Sequence, residues 1–143
     1  MIFKLKSILI NVFCPLFLGG IIYILFRTTS TRIFDWIKMI GINPFILNFR
    51  KFSLPIKEYL PSWFYYSFPD ALWMYSFSYS IMVIWNSRQI FWIFFPLTIG
   101  LSYEVAQLLK IIPGTFDILD LFFTILAFCT SLFSINLKLN SND

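Results

Sequence analysis

Histidine is absent from this 143-residue chain, which excludes His-based catalytic triads, His metal ligands and the usual proton shuttle of neutral pH. Charge is scarce too. Only 13% of residues are Asp, Glu, Lys or Arg, where a soluble domain carries about 25% to cover its surface. The two cysteines, Cys14 and Cys129, lie far apart within apolar runs. They form no C-x-x-C pair and no metal-ligand spacing, so they read as buried small hydrophobes. The chain also lacks an internal repeat and a low-complexity segment.

What is present is apolar: 59% of residues are hydrophobic and the mean hydropathy is +0.78. These values predict an integral membrane protein, all-α, in a single domain over 1–143. The net charge of +4 does not point to nucleic acid, because the Lys and Arg residues flank the apolar runs, where topology and headgroups place them.

A spanning helix needs about 20 mostly apolar residues, and four segments meet that length. The first runs over about 8–26, behind Lys4 and Lys6. It is long and no small-x-small cleavage site follows, so it reads as a retained helix rather than a secretory signal. Pro15 and Gly19-Gly20 either kink it or allow close packing. The second covers about 68–85, opened by a capping-box pattern, Ser67-x-x-Asp70, with Pro69 in the first turn. The third covers 90–109 and the fourth 117–137. In the long connection over 27–62, "RIFDWIKMIGI" suits an interfacial helix over about 32–42, and "LPSWFYYSFP" gathers aromatics as an interfacial belt does.

Four spans with short second and third connections impose a geometry. Spans one and three end on the face where spans two and four begin. Arg27, Asp70, Glu104, Asp117 and Asp120 therefore converge on one membrane face. That face also carries Arg27, Arg32, Lys38, Arg50, Lys51, Lys57 and Lys110, against Lys4, Lys6, Arg88 and Lys138 opposite, and this excess leans the long loop toward the cytoplasm.

Three of the seven acidic residues fall in "SYEVAQLLKIIPGTFDILDLFF". Glu104 and Gln107 share a helical face, and Gly100, one turn before Glu104, lets another element approach it. A carboxylate within a span is costly unless paired or wetted, so Glu104 serves either a function or an interhelical hydrogen bond. Asp117 fits an N-cap. Asp117, Asp120, Thr124, Ala127, Ser131 and Ser134 form a stripe spaced 3, 4, 3, 4 and 3 on an otherwise Phe, Leu and Ile helix. Such a stripe belongs in a packed interface, so Asp120 faces protein or a polar cavity rather than lipid. Ser76, Ser80, Val83 and Ser87 offer a weaker seam toward that last helix. Arg27 either pairs with an acid, meets a lipid phosphate, or snorkels. Carboxylates, an amide and hydroxyls suit Mg²⁺ or Ca²⁺ better than zinc. Neither Ser76 nor Ser80 has an evident base, so no catalytic residue is assigned.

"EVAQ" (Glu104, Gln107), "IPGTFDILDL" (Ile112 to Leu121) and "PDALW" (Pro69 to Trp73) together resemble the VanZ-like membrane protein family, over roughly residues 68–130. The family's turn usually carries an Arg where this chain has Pro113-Gly114-Thr115. Its Lys and His after the early Asp are replaced here by Ala71 and Met74. The resemblance implies a small polytopic protein of a bacterial cell membrane, with some members linked to glycopeptide (teicoplanin) resistance. Three functional readings stand side by side. The acidic pocket engages a lipid or lipid-linked envelope intermediate; or it binds or transports a cation; or the chain is an accessory subunit to other membrane proteins.

Overall fold

The structure is a computed structural model that describes residues 6–85 and 89–140, with side chains as far as Ile135. Among these residues the chain forms helices and no strand. In order they are α1 (Lys6–Phe26), α2 (Arg32–Met39), α3 (Asn43–Lys57), α4 (Ser62–Ile84), α5 (Ile90–Leu108) and α6 (Ile118–Asn140).

Among the described residues three helices are long and apolar enough to cross a membrane: α1, α5 and the Ile118–Ile135 part of α6. The sequence reading expected four, and α4 is the difference. Its 23 residues rise about 34 Å at 1.5 Å per residue, which matches a hydrocarbon core; its composition falls short. The reason lies in its position. α4 is the central helix, packed against α1, α5 and α6, and it buries Ser67, Ser76 and Ser78. A helix that meets protein on so many sides has less need of a lipid-type sequence.

The start of α4 also corrects the sequence reading. Pro61 stands at its N-cap with an extended ψ of 148°, so "SWFYYSF" is the opening of α4 rather than a separate belt. Ser67 and Asp70 are not a capping box. Both lie inside the helix, and Pro69 is buried within it. A helix is already under way at Ser67, so no orphan N–H groups remain there for a cap to satisfy.

Pro15 has a local accommodation in α1. Residues Leu9–Phe13 form a π-helical turn, closed by the Cys14 N–H donating to the Leu9 carbonyl. That widening precedes a residue which lacks an N–H and crowds the preceding turn. Further along, Gly19 lies against α4, where a Cβ would stand 2.7 Å from Trp73 Nε1 and 3.1 Å from the Pro69 carbonyl. Gly20 faces open space. Cys14 and Cys129 are exposed, contrary to the expectation of burial. On a membrane protein the outer surface is itself apolar, so an apolar neighbourhood in sequence does not mark the interior.

Apolar burial gives helices little reason to associate within lipid, and interhelical hydrogen bonds supply about 0.6 kcal/mol each on average. Here Tyr75 Oη donates to Asn11 Oδ1 (2.7 Å) and lies 3.1 Å from Ser134 Oγ. Ser7 Oγ and Tyr79 Oη are 2.5 Å apart, and Ser76 Oγ donates to the Val12 carbonyl at 2.9 Å. Ser76 thus turns its hydroxyl to α1 rather than to the last helix, and Ser80 donates back to the Ser76 carbonyl. Ser87 lies outside the described residues. On α6, Thr124, Ala127 and Ser131 are buried, and Ala127 packs with Ala71 and Met74 of α4.

Candidate functional site

Helices α4, α5 and α6 meet at Gly100. A Cβ there would lie 2.8 Å from Met74 Cε and 3.1 Å from Thr124 Cγ2. One turn on from this layer, toward the same end of each helix, stand Asp70 on α4, Glu104 on α5 and Asp120 on α6. The four-residue step is the same in all three because α5 runs antiparallel to the other two, and a helix returns to the same face every 3–4 residues.

Glu104 is 8% exposed. Its Oε2 is buried without a hydrogen-bond partner, as is Oδ1 of the half-buried Asp120. The third such atom is Ser67 Oγ, on a residue 1% exposed and one turn before Asp70. Ser67 was read from sequence only as a cap; no spacing signal marked it as part of the site.

The surrounding groups are fixed by the chain ends that carry them. Asp117 is the N-cap of α6, accepting from the Leu119 N–H at 2.9 Å, and it is exposed. Gln107 lies over the α5–α6 loop, where a Cβ at Gly114 (φ +141°) would meet Gln107 Nε2 at 2.5 Å. The loop is set by a tight helix end: Lys110 takes a left-handed φ of 56°. Its N–H then donates to the Gln107 carbonyl and that of Ile111 to the Ala106 carbonyl, both at 2.9 Å, the bond pair of a Schellman motif.

Arg27, just past the end of α1, lies over the rings of Tyr66 (4.8 Å) and Tyr23 (5.4 Å), and its charge acts on Asp70. Among the described residues it makes no ion pair within 4 Å; the pair that forms is Lys38–Asp35, on α2. The carbonyls at the end of α1 are held by Arg50 of α3, which donates to Ile24 O and, at 2.7 Å, to Arg27 O. Burial lowers the pKa of this guanidinium, although an arginine stays charged regardless. Sequence reasoning counted Arg50 only as a topology charge. Its role depends on α3, a helix that the reading left as connection.

Below the acidic layer comes an apolar one, Ala71, Met74 and Ala127, with Tyr75, Leu97 and Phe123 packed against it. It separates the carboxylates from the Tyr75–Asn11 network deeper in the bundle. Among the described residues no three Cys, Asp or Glu side chains are grouped so as to hold one metal ion. Among the described residues the site therefore offers polar oxygens without partners, a guanidinium without an ion pair at its edge, and an apolar layer beneath. No family model matches the chain, and neither a curated protein nor a solved structure matches it.

Proposed function

We propose that this chain is a VanZ-like integral membrane protein of the bacterial cell envelope, whose one-sided acidic pocket engages a lipid or lipid-linked cell-wall intermediate. The observation that carries the reading is the set of buried polar oxygens without partners among the described residues: two carboxylate acceptors, Glu104 Oε2 and Asp120 Oδ1, and the Ser67 hydroxyl. Buried polar atoms in native proteins nearly always have partners, so a donor-rich group is the natural complement: hydroxyls, amides or an amine, as on a sugar–peptide headgroup. Arg27 adds the complementary chemistry, since a guanidinium without a carboxylate partner suits a phosphate. A lipid-linked headgroup combines both features. The apolar floor favours binding over passage, because a cation route would have to cross Ala71, Met74 and Ala127.

The test is thermal unfolding of the purified protein with polyprenyl-phosphate lipids, and separately with Mg²⁺ or Ca²⁺, beside Glu104→Gln and Asp120→Asn. A ligand at 100 times its Kd raises stability by about 2.7 kcal/mol. The proposal expects the lipid to raise the parent's midpoint and to leave both variants unmoved. A response to the cations alone would replace it with the cation-binding reading. No response, with both variants destabilised, would make the layer structural.

A further inference from the structure

Besides the exposed Leu47 and Leu54, helix α3 has three distinct faces. Phe45, Phe49, Phe52 and Ile56, spaced 4, 3 and 4, form one stripe, and all are exposed, Phe52 by 80%. Asn48, Lys51, Pro55 and Glu58, spaced 3, 4 and 3, form a second exposed stripe. The third face buries Arg50 and Ser53, with Arg50 on the Ile24 and Arg27 carbonyls and Ser53 Oγ donating to the Arg50 carbonyl. In water an amphipathic helix buries its apolar stripe and exposes its arginine. This one does the reverse, yet keeps a separate polar face outward.

The depth of α3 is fixed independently. The 21 residues of α1 rise about 31 Å, the thickness of a hydrocarbon core, and α3 is clamped to the last carbonyls of that helix. α3 therefore lies where the acyl region ends. Its Phe stripe is exposed, as are Leu16, Phe17, Leu18 and Ile21 of α1. Lys51 on α3, with Arg32 and Lys38 on α2, supplies exposed cations that complement phosphate headgroups.

From this we infer that α3 lies flat at the headgroup–acyl boundary of a phospholipid leaflet, with Phe45, Phe49, Phe52 and Ile56 among the acyl chains and Asn48, Lys51 and Glu58 toward water. The leaflet is the one at whose surface Arg27 and the acidic layer open. The sequence alone suggests an interfacial element over about 32–42, and α3 is added to it. The inference does not depend on what the acidic layer binds.

Spin labels on the full chain in phospholipid bilayers test it. Cys14→Ala and Cys129→Ala clear the background, and single cysteines are placed as Phe49→Cys, Phe52→Cys, Asn48→Cys and Lys51→Cys. Labels at 49 and 52 should collide several-fold more with oxygen than with a water-soluble nickel chelate, and labels at 48 and 51 should show the opposite preference. Two results overturn the proposal. Equal nickel access at all four positions would place the stripe in water. Shielding of 49 and 52 from both reagents would mean that a protein, such as a second copy of the chain, covers it. Two positions on each face keep the result readable if one variant fails to fold.

Discussion

Glu104→Gln is expected to stabilise the protein in the absence of any ligand. The substitution keeps the shape of the side chain, removes one of the carboxylates gathered at the level of Asp70 and Asp120, and brings amide donors toward carboxylate oxygens that lack partners. A buried group left without a partner costs about 1–3 kcal/mol, more if charged. A carboxylate at the centre of a spanning helix costs roughly 2.5–3.5 kcal/mol, falling toward the ends. Glu104 is one turn from the end of α5 at Leu108, so the expected gain is about 1–2 kcal/mol. For a chain of this size that moves the unfolding midpoint up by roughly 3 °C or more. The assay is thermal unfolding in lipid-free detergent, followed by circular dichroism. Asp120→Asn should act in the same direction. The double variant should gain less than the sum, because the two carboxylates act on each other. An unchanged midpoint would mean that Glu104 carries no uncompensated charge. A loss of 1 kcal/mol or more would mean that its carboxylate accepts a hydrogen bond the fold needs, and either outcome refutes the reasoning.

Three further substitutions probe the frame around the site. Lys110→Gly should raise stability by about 1 kcal/mol, because Lys110 holds a left-handed φ that glycine adopts freely; chemical denaturation measures it, and a loss would show that the lysine side chain matters more than its backbone. Gly19→Ala should destabilise by about 1–3 kcal/mol through overpacking against Trp73 and the Pro69 carbonyl, despite the better helix propensity of alanine, and should shift tryptophan fluorescence. Arg50→Met should remove charge-assisted bonds worth about 1.5–3 kcal/mol each and increase protease cleavage between α1 and α3; an unchanged cleavage rate would show that α3 is held by other contacts.

The existence of the four long helices was legible because apolar runs of about 20 residues are separated in sequence by Asn86-Ser87-Arg88 and Pro113-Gly114. The spacing of Thr124, Ala127 and Ser131 likewise marked the buried face of α6, since a lipid-facing helix has no reason for such a stripe, whereas Asp117 at its head is exposed and Asp120 half-buried. Other features depended on tertiary context. Pro61, not Ser67, starts α4, and only the extended backbone at Pro61 distinguishes the two. The burial of Cys14 and Cys129 was misjudged because periodicity cannot separate lipid-facing from protein-facing apolar positions. α3 escaped notice because its buried face is the polar one, so a search for an apolar face aimed at the core finds the wrong side. Arg50 went unassigned with it.

The bundle contains its own comparison for the acidic layer. α1, α4 and α6 share a second polar layer, deeper in the bundle, built from Tyr, Asn and Ser in place of carboxylates. There the side chains answer one another: Tyr75 meets Asn11 and Ser134, Tyr79 meets Ser7, and Ser76 meets the Val12 carbonyl. A buried polar network that is satisfied fixes helix register and needs nothing further. The acidic layer lies on the other side of Ala71, Met74 and Ala127, at the end where α1 stops and α3 lies across it, and three of its polar oxygens are left unanswered. If unpaired polar oxygens were simply what this fold produces wherever helices cross, the deeper layer would show them as well. Their restriction to the end of the bundle that carries Arg27, and that meets the headgroup region through α3, is what turns an acidic cluster into a candidate for a headgroup ligand. The same contrast assigns a different outcome to each layer under substitution. Tyr75→Phe should cost stability with or without lipid, because its partners are already in the chain. Glu104→Gln should cost only the lipid response.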